Sequence, residues 1–290
     1  MAHFGLGRGP EMNRSIPRIV WILWIQGAEQ APDIVKRCVA SWRELNPGWD
    51  VRVLDGSTAE SYLRRAAVPA HRLALLPPEK RANILRMRLL TEEGGVWADA
   101  TTLCLQPLDG WLPACMDAGF FCFRDPGADR LVANWFLASD RGGRLAMLWR
   151  DAHETFWKDR GYLHHSSPDG NSAALPTVQR HLLRALHAVL NRNTTRTDLW
   201  FHPVLRVVLR TYPYCVMHYL FAHGCHRNPE WRQLFSQMPY RAAKPLLTPY
   251  TLAREGKSCE EIIEAGRERA LPMLKFNWKA PPADTTQVSP

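Results

Sequence analysis

Asp99 draws attention because of the residues that surround it. It lies in the run Gly94-Gly95-Val96-Trp97-Ala98-Asp99-Ala100-Thr101, directly after a stretch that carries Asn83 and Arg86. Residues three apart, such as Asn83 and Arg86, share one face of a helix. If the run after Gly95 is extended, Trp97, Asp99 and Thr101 alternate to one side while Val96 and Ala98 face the other. A carboxylate near the carboxyl end of a parallel strand stands where open α/β sheets bind ligands. A hard divalent cation takes oxygen ligands and keeps positions for substrate phosphates, so one carboxylate can suffice. Asp99 supplies that carboxylate, Thr101 adds a hydroxyl, and the metal would neutralise charge on a leaving diphosphate. The competing reading makes Asp99 a plain turn residue at the end of a strand, where Asp is common.

The elements needed to position these groups are legible upstream. The run 19–25, Ile-Val-Trp-Ile-Leu-Trp-Ile, is β-branched and aromatic, is closed by Gly27, and predicts a buried central strand. Pro32-Asp33 opens a helix whose Ile34, Val35, Cys38, Val39, Trp42 and Leu45 recur at helical spacing until Asn46-Pro47-Gly48 stops it. Val51 to Leu54 then predicts a second strand, and this order implies a right-handed crossover and a mainly parallel sheet. Helices are expected around 59–67 and over 79–93, the second ended by Gly94-Gly95. Strand character follows over 96–105 and 119–123, and helical periodicity dominates beyond, most clearly over 145–157 and 177–190.

Composition sets the outer limits. With 290 residues, 46% hydrophobic and 22% charged, the chain reads as an ordinary globular protein able to bury a sizeable core. The expected layout is a loose leader over 1–14, one domain over 15–280 with halves 15–137 and 138–280, and a disordered tail over 281–290. A turn or mobile loop is expected at Pro168-Asp169-Gly170-Asn171. The formal charge of +9 suits a polyanionic partner, either phosphorylated small molecules or an anionic membrane surface. The basic residues form no dense run and no reader motif, so nucleic acid is not expected as a partner. Seven cysteines without a Cys-x-x-Cys pair indicate neither a disulfide framework nor a zinc ribbon, and with no apolar leader they point to the cytoplasm. His218, His223 and His226 near Cys215 and Cys225 fit no standard zinc spacing. His164-His165 reads as surface, with acceptor contact the alternative, and the stretch 200–219 reads as packed helices or a membrane-contact face.

Leu85-Arg86, Leu89-Leu90 and the run from Gly94 to Thr101 together resemble the signature of the capsular polysaccharide synthesis proteins. That group lies within the DXD-containing glycosyltransferases related to glycosyltransferase family 32. Ile16-Pro17-Arg18-Ile19-Val20-Trp21, Trp24, Gln26-Gly27, Ala31-Pro32, Ser41-Trp42 and Asn46-Pro47 are similar to the same family. The resemblance covers 16–137, with a weaker echo over 214–238. It implies a GT-A fold, an α/β Rossmann-like and mainly parallel sheet flanked by helices, with a more helical C-terminal half. It also implies a divalent metal, Mn2+ or Mg2+, at Asp99 and Thr101, with Thr101 standing where a second Asp is usual.

Under the same resemblance Trp24 occupies the position that stacks on the nucleotide base, with Gln26 beside it. Arg86 and Trp97 match donor-contacting positions. Asn83 stands where Asp is usual, and an amide can bond a hydroxyl without being a charged acceptor. Asn134 matches the residue that approaches the donor sugar, although an Asn there also suits an ordinary helix or turn. Phe276-Asn277-Trp278 is similar to the closing segment over the donor. The implied function is metal-dependent, retaining transfer from a nucleoside diphosphate sugar to a polysaccharide or lipid-linked acceptor, in capsular or cell-surface polysaccharide synthesis. The enzyme would be cytoplasmic or peripheral at the inner face of the cell membrane. The rival readings are a non-catalytic sugar-nucleotide or glycan-binding module and a protein-modifying glycosyltransferase.

Overall fold

The computed structural model describes residues 16–158, 164–166, 177–207, 211–277, 279–280 and 282. The expected leader, the loop at 168–171 and all of the tail except Pro282 lie outside them. The first half runs β1 (Ile19–Leu23), α1 (Asp33–Leu45), β2 (Asp50–Leu54), α2 (Gly56–Leu63), α3 (Ala70–Leu73) and α4 (Pro78–Glu92). It continues through β3 (Gly95–Ala98), β4 (Thr102–Cys104), β5 (Phe120–Gly127) and β6 (Arg130–Ser139). Next come α5 (Arg144–Lys158), β7 (His164–Ser166), α6 (Thr177–Leu190), α7 (Thr194–Thr197), α8 (Pro203–Val207) and β8 (Thr211–Pro213). The chain closes with α9 (Val216–Arg227), α10 (Pro229–Gln237), α11 (Pro249–Arg254), α12 (Cys259–Glu268) and β9 (Met273–Lys275).

Among the described residues, five strands form the main sheet in the order β2-β1-β3-β6-β5. β1 pairs parallel with β2 and β3, while β6 is antiparallel to both β3 and β5. Four strands therefore point one way and β6 alone runs against them. The expectation of a mainly parallel, Rossmann-like sheet flanked by helices, with a more helical second half, is met. β1 is interior, as its apolar run predicts, with Val20, Trp21 and Ile22 fully buried. A cluster of buried apolar residues extends from Val20 to Phe276, and β6 runs across position 137, where the two halves were expected to meet.

Three details of this frame govern the site. The α4–β3 junction needs its two glycines: Gly94 and Gly95 have φ of 75° and 91°, and a Cβ on Gly95 would fall 2.5 Å from the Ile19 carbonyl oxygen. β1 and β3 thus approach more closely than any side chain at Gly95 would allow. The extended run expected over 96–105 is two strands, because the chain turns at 99–101, closed by a bond from the Thr102 amide to the Asp99 carbonyl at 2.8 Å. The sheet narrows to β3 there, and β4 leaves it to pair with β9. Two core tryptophans pin this segment: Trp21 Nε1 donates to the Gly94 carbonyl at 3.0 Å and Trp42 Nε1 to the Thr102 carbonyl at 2.7 Å. Each bond contributes about 1 kcal/mol net, and each also satisfies a donor that burial would otherwise penalise.

Candidate functional site

α4 begins at Pro78 after Pro77, where a proline costs nothing because the first helical amides lack partners. The helix is buried on most sides, and its polar residues Lys80, Asn83 and Arg86 fall three apart along one line. That line faces a cleft of about 1150 Å3 at the carboxyl ends of β1 and β3. Trp24 and Gln26 enter from the end of β1, and Trp97, Asp99 and Thr101 from the end of β3 and the turn after it. Asn134 enters from β6, so it is a strand residue and neither helical nor in a turn. All eight residues singled out from the sequence line this one space.

Their contacts form a connected set. The Asp99 amide donates to the Trp135 carbonyl at 2.8 Å, fixing the strand end against β6. Asp99 Oδ1 accepts from Trp97 Nε1 at 2.9 Å and pairs with Arg86 Nη2 at 3.2 Å. The Arg86 guanidinium lies over the Trp97 ring at 4.9 Å and also donates to the Asn134 carbonyl. Asn134 Nδ2 in turn donates to Asn83 Oδ1 at 3.3 Å. Burial pulls the Arg86 pKa downward and Asp99 opposes it, but guanidinium keeps its proton in proteins. Asp99 is thus both a strand-terminating turn residue and an anion in the cleft, and the two readings of it from the sequence are compatible.

The structure adds groups that residue spacing did not reveal. Lys275, from β9, places its ammonium 3.7 Å from Asp99 Oδ2 and donates to the Thr101 hydroxyl. The Phe276 amide donates to the Thr101 carbonyl at 2.8 Å, which ties the end of β9 to the turn after β3; Trp278 of the expected closing segment lies outside the described residues. Lys80, almost wholly buried, donates to the Tyr214 carbonyl at 2.6 Å with its ammonium 4.3 Å from the Tyr214 ring centre. Burial lowers the pKa of both lysines, and Asp99 acts against that shift at Lys275. His218, from α9, lines the cleft with its pKa well below the ordinary value, because it is desolvated and faces Arg130, Arg86 and Lys80. Among the described residues, five cationic side chains, Lys80, Arg86, Arg130, Lys275 and Lys279, line the cleft against the two carboxylates of Glu79 and Asp99. That excess favours an anionic ligand. The other histidines of α9 turn away from it: His223 and His226 meet Asp198 at 3.2 and 2.8 Å.

The divalent cation implied by the resemblance was assigned to Asp99 and Thr101. The ammonium of Lys275 bridges those same two side chains, and the second Asp99 oxygen is taken by Trp97 and Arg86. A dication at Asp99 would share one carboxylate with two cations already seated on it. With Lys275 between Asp99 and Thr101 and Arg86 on the other carboxylate oxygen, this donor set leaves no position for the expected Mn2+ or Mg2+.

Residues 8–165 match the sequence profile of the capsular polysaccharide synthesis protein family. The chain is similar to the O-glycosyltransferase PaGT of Phomopsis amygdali, 28% identical over 169 residues, covering 52% of this chain and 40% of that protein. It is likewise 28% identical over 165 residues to the glycosyltransferase afumC of Aspergillus fumigatus, covering 48% of this chain and 40% of the relative. The matched stretch therefore spans well under half of each curated relative. Among solved structures it is similar to the PaToxG glycosyltransferase at a TM-score of 0.37 and 13% identity, covering 78% of this chain and 88% of that one. No helix among the described residues is long and apolar enough to cross a membrane.

Proposed function

The chain belongs to the capsular polysaccharide synthesis protein family, and from that membership we propose that it is a glycosyltransferase moving a sugar from a nucleoside diphosphate donor to a hydroxyl acceptor. The observation that carries this reading is the convergence of Trp24, Asn83, Arg86, Trp97, Asp99 and Asn134 on one cationic cleft at the carboxyl ends of β1 and β3. Ligands of open α/β sheets bind at that edge. A cleft of about 1150 Å3 also has room for a sugar nucleotide.

In this reading the indole of Trp24 stacks on the base and Gln26 borders it. Asn83 and Asn134, already bonded to each other, hold hydroxyls of the ribose and the transferred sugar. Arg86, fixed by Trp97 and Asp99, faces the diphosphate. Transfer breaks the bond between the anomeric carbon and the β-phosphate oxygen, and the electron pair stays on that oxygen. The acceptor oxygen bonds to the anomeric carbon while its proton passes to the departing phosphate, so no side-chain base is required. The cationic wall is ready-made stabilisation for the charge that develops. The acceptor is a polysaccharide or lipid-linked glycan, reached from a cytoplasmic or membrane-peripheral position that the net charge of +9 favours.

A screen of nucleoside diphosphate sugars for nucleotide release identifies the donor, and labelled transfer into polysaccharide, lipid and protein fractions identifies the acceptor class. Asp99→Ala should lose turnover on the donor so found. Full turnover by the folded variant, or release from no donor at all, would overturn the reading.

A further inference from the structure

Resting on that reading, we propose that Lys275, seated on Asp99 and Thr101, takes the place of a divalent cation and with Arg86 binds the donor diphosphate without metal.

A metal serving a diphosphate at the end of β3 would bridge the Asp99 carboxylate, the Thr101 hydroxyl and the phosphate oxygens. Lys275 Nζ already spans the first two, at 3.7 Å from Asp99 Oδ2 and in hydrogen-bond contact with Thr101 Oγ1. It is not a stray surface lysine. β9 pairs with β4 in the register Thr102 opposite Lys275, and the next residue, Phe276, bonds through its amide to Thr101. The backbone from which Lys275 projects is therefore fixed to the same turn that carries Asp99. Its side chain is only 12% exposed, and what exposure it has opens into the cleft.

Charge and geometry then agree. Lys275 and Arg86 together carry the two positive charges that one dication would bring, and Asp99 holds both by opposite oxygens. An ammonium has three donors, so Lys275 can keep Thr101 and the Phe276 carbonyl, 3.4 Å away, and still present one proton to phosphate; the guanidinium presents a planar fork beside it. When the anomeric bond breaks, the electron pair remaining on the β-phosphate oxygen meets these two fixed cations. The acceptor proton goes to that same phosphate, and nothing is oxidised or reduced.

The test reads binding instead of turnover. The full chain is titrated with UDP, GDP, CDP, ADP and dTDP by calorimetry, once in EDTA and once with Mn2+, while Mn2+ itself is followed by electron paramagnetic resonance. The expected result is one nucleoside diphosphate bound with the same affinity in both buffers and a free-ion manganese signal for the protein alone. Lys275→Met should weaken that diphosphate in EDTA about tenfold or more, whereas Lys275→Arg stays within about threefold. Clearing the ammonium should also let Mn2+ reach Asp99, so Mn2+ restores binding to Lys275→Met and not to the parent. Diphosphate binding by the unaltered chain that vanishes in EDTA and returns with Mn2+ overturns the inference while leaving the glycosyltransferase reading intact. Unchanged affinity in folded Lys275→Met does the same. Binding of no nucleoside diphosphate in either buffer overturns both. The comparison of buffers on the unaltered chain decides the matter even if the Met variant does not fold.

Discussion

Three constraints meet in the guanidinium of Arg86: a carbonyl on β6, a carboxylate at the end of β3 and the face of Trp97. Only a planar group with several donors satisfies all three, and a lysine there would keep the charge but lose the fork and the stacking. Arg86→Lys is therefore expected to lower kcat/KM for the donor about 10- to 100-fold, through loss of one charge-assisted bond worth about 1.5–3 kcal/mol. Steady-state kinetics checks this, and parental kcat/KM in the variant would show that position 86 supplies charge alone. Arg86 was legible from the sequence because its relation to Asn83, Gly95 and Asp99 is local and periodic. Lys275 was not. It reaches Thr101 across 174 positions through pairing of two three-residue strands, and nothing in the composition near Met273 marks that partnership. His218 and Lys80 escaped for a different reason: a histidine or lysine on a helix of mixed polar and apolar residues gives no sign of which way it faces until the helix is packed.

At the scale of elements, the strand, helix, strand order and the glycine pair told most of the story of the first half. Apolar runs report burial, proline and glycine report ends, and both signals are local. The break between β3 and β4 was hidden because Val96 to Leu105 has unbroken strand character; it is the partner of β4, far along the chain, that splits the run. The placement of Asn134 on a strand likewise depends on β6 pairing with β3 and β5. The β1–β3 contact is the element-level feature on which the site depends, since those two strands deliver Trp24 and Asp99. Gly95→Ala puts a methyl group against the Ile19 carbonyl in a backbone conformation that L residues avoid. We expect it to cost about 2–4 kcal/mol of stability and to weaken donor binding along with it. Urea denaturation gives the first quantity and calorimetry the second. An unchanged midpoint would mean that the two strands can part without consequence. A cost in stability without loss of binding would separate the strand contact from the site.

The whole molecule has to bury a cationic cleft wall against an aromatic core, and this should be visible in its response to acid. His153 on α5 is fully buried and accepts from Trp157 Nε1 at 3.1 Å. Burial, reinforced by the positive charges of Lys80 and Arg86, pushes its pKa from 6.5 down to about 3. The folded protein therefore keeps His153 neutral at any pH above that value, whereas the unfolded chain takes up a proton once the pH drops below 6.5. With more protons bound in the unfolded state, stability rises with pH across this window. It is complete above the unfolded value and falls as the pH is lowered, by about 1.4 kcal/mol per unit at most. Between neutrality and about pH 5 the loss should reach about 2 kcal/mol from this residue. His218 adds to it in the same direction, since its pKa is also lowered by burial and by the cations of the cleft. His153→Gln retains an acceptor for Trp157 and removes the titration. Urea midpoints measured across the pH range should then show a shallower acid limb for the variant than for the parent. Parallel limbs would mean that burial and the neighbouring cations do not hold His153 neutral in the fold.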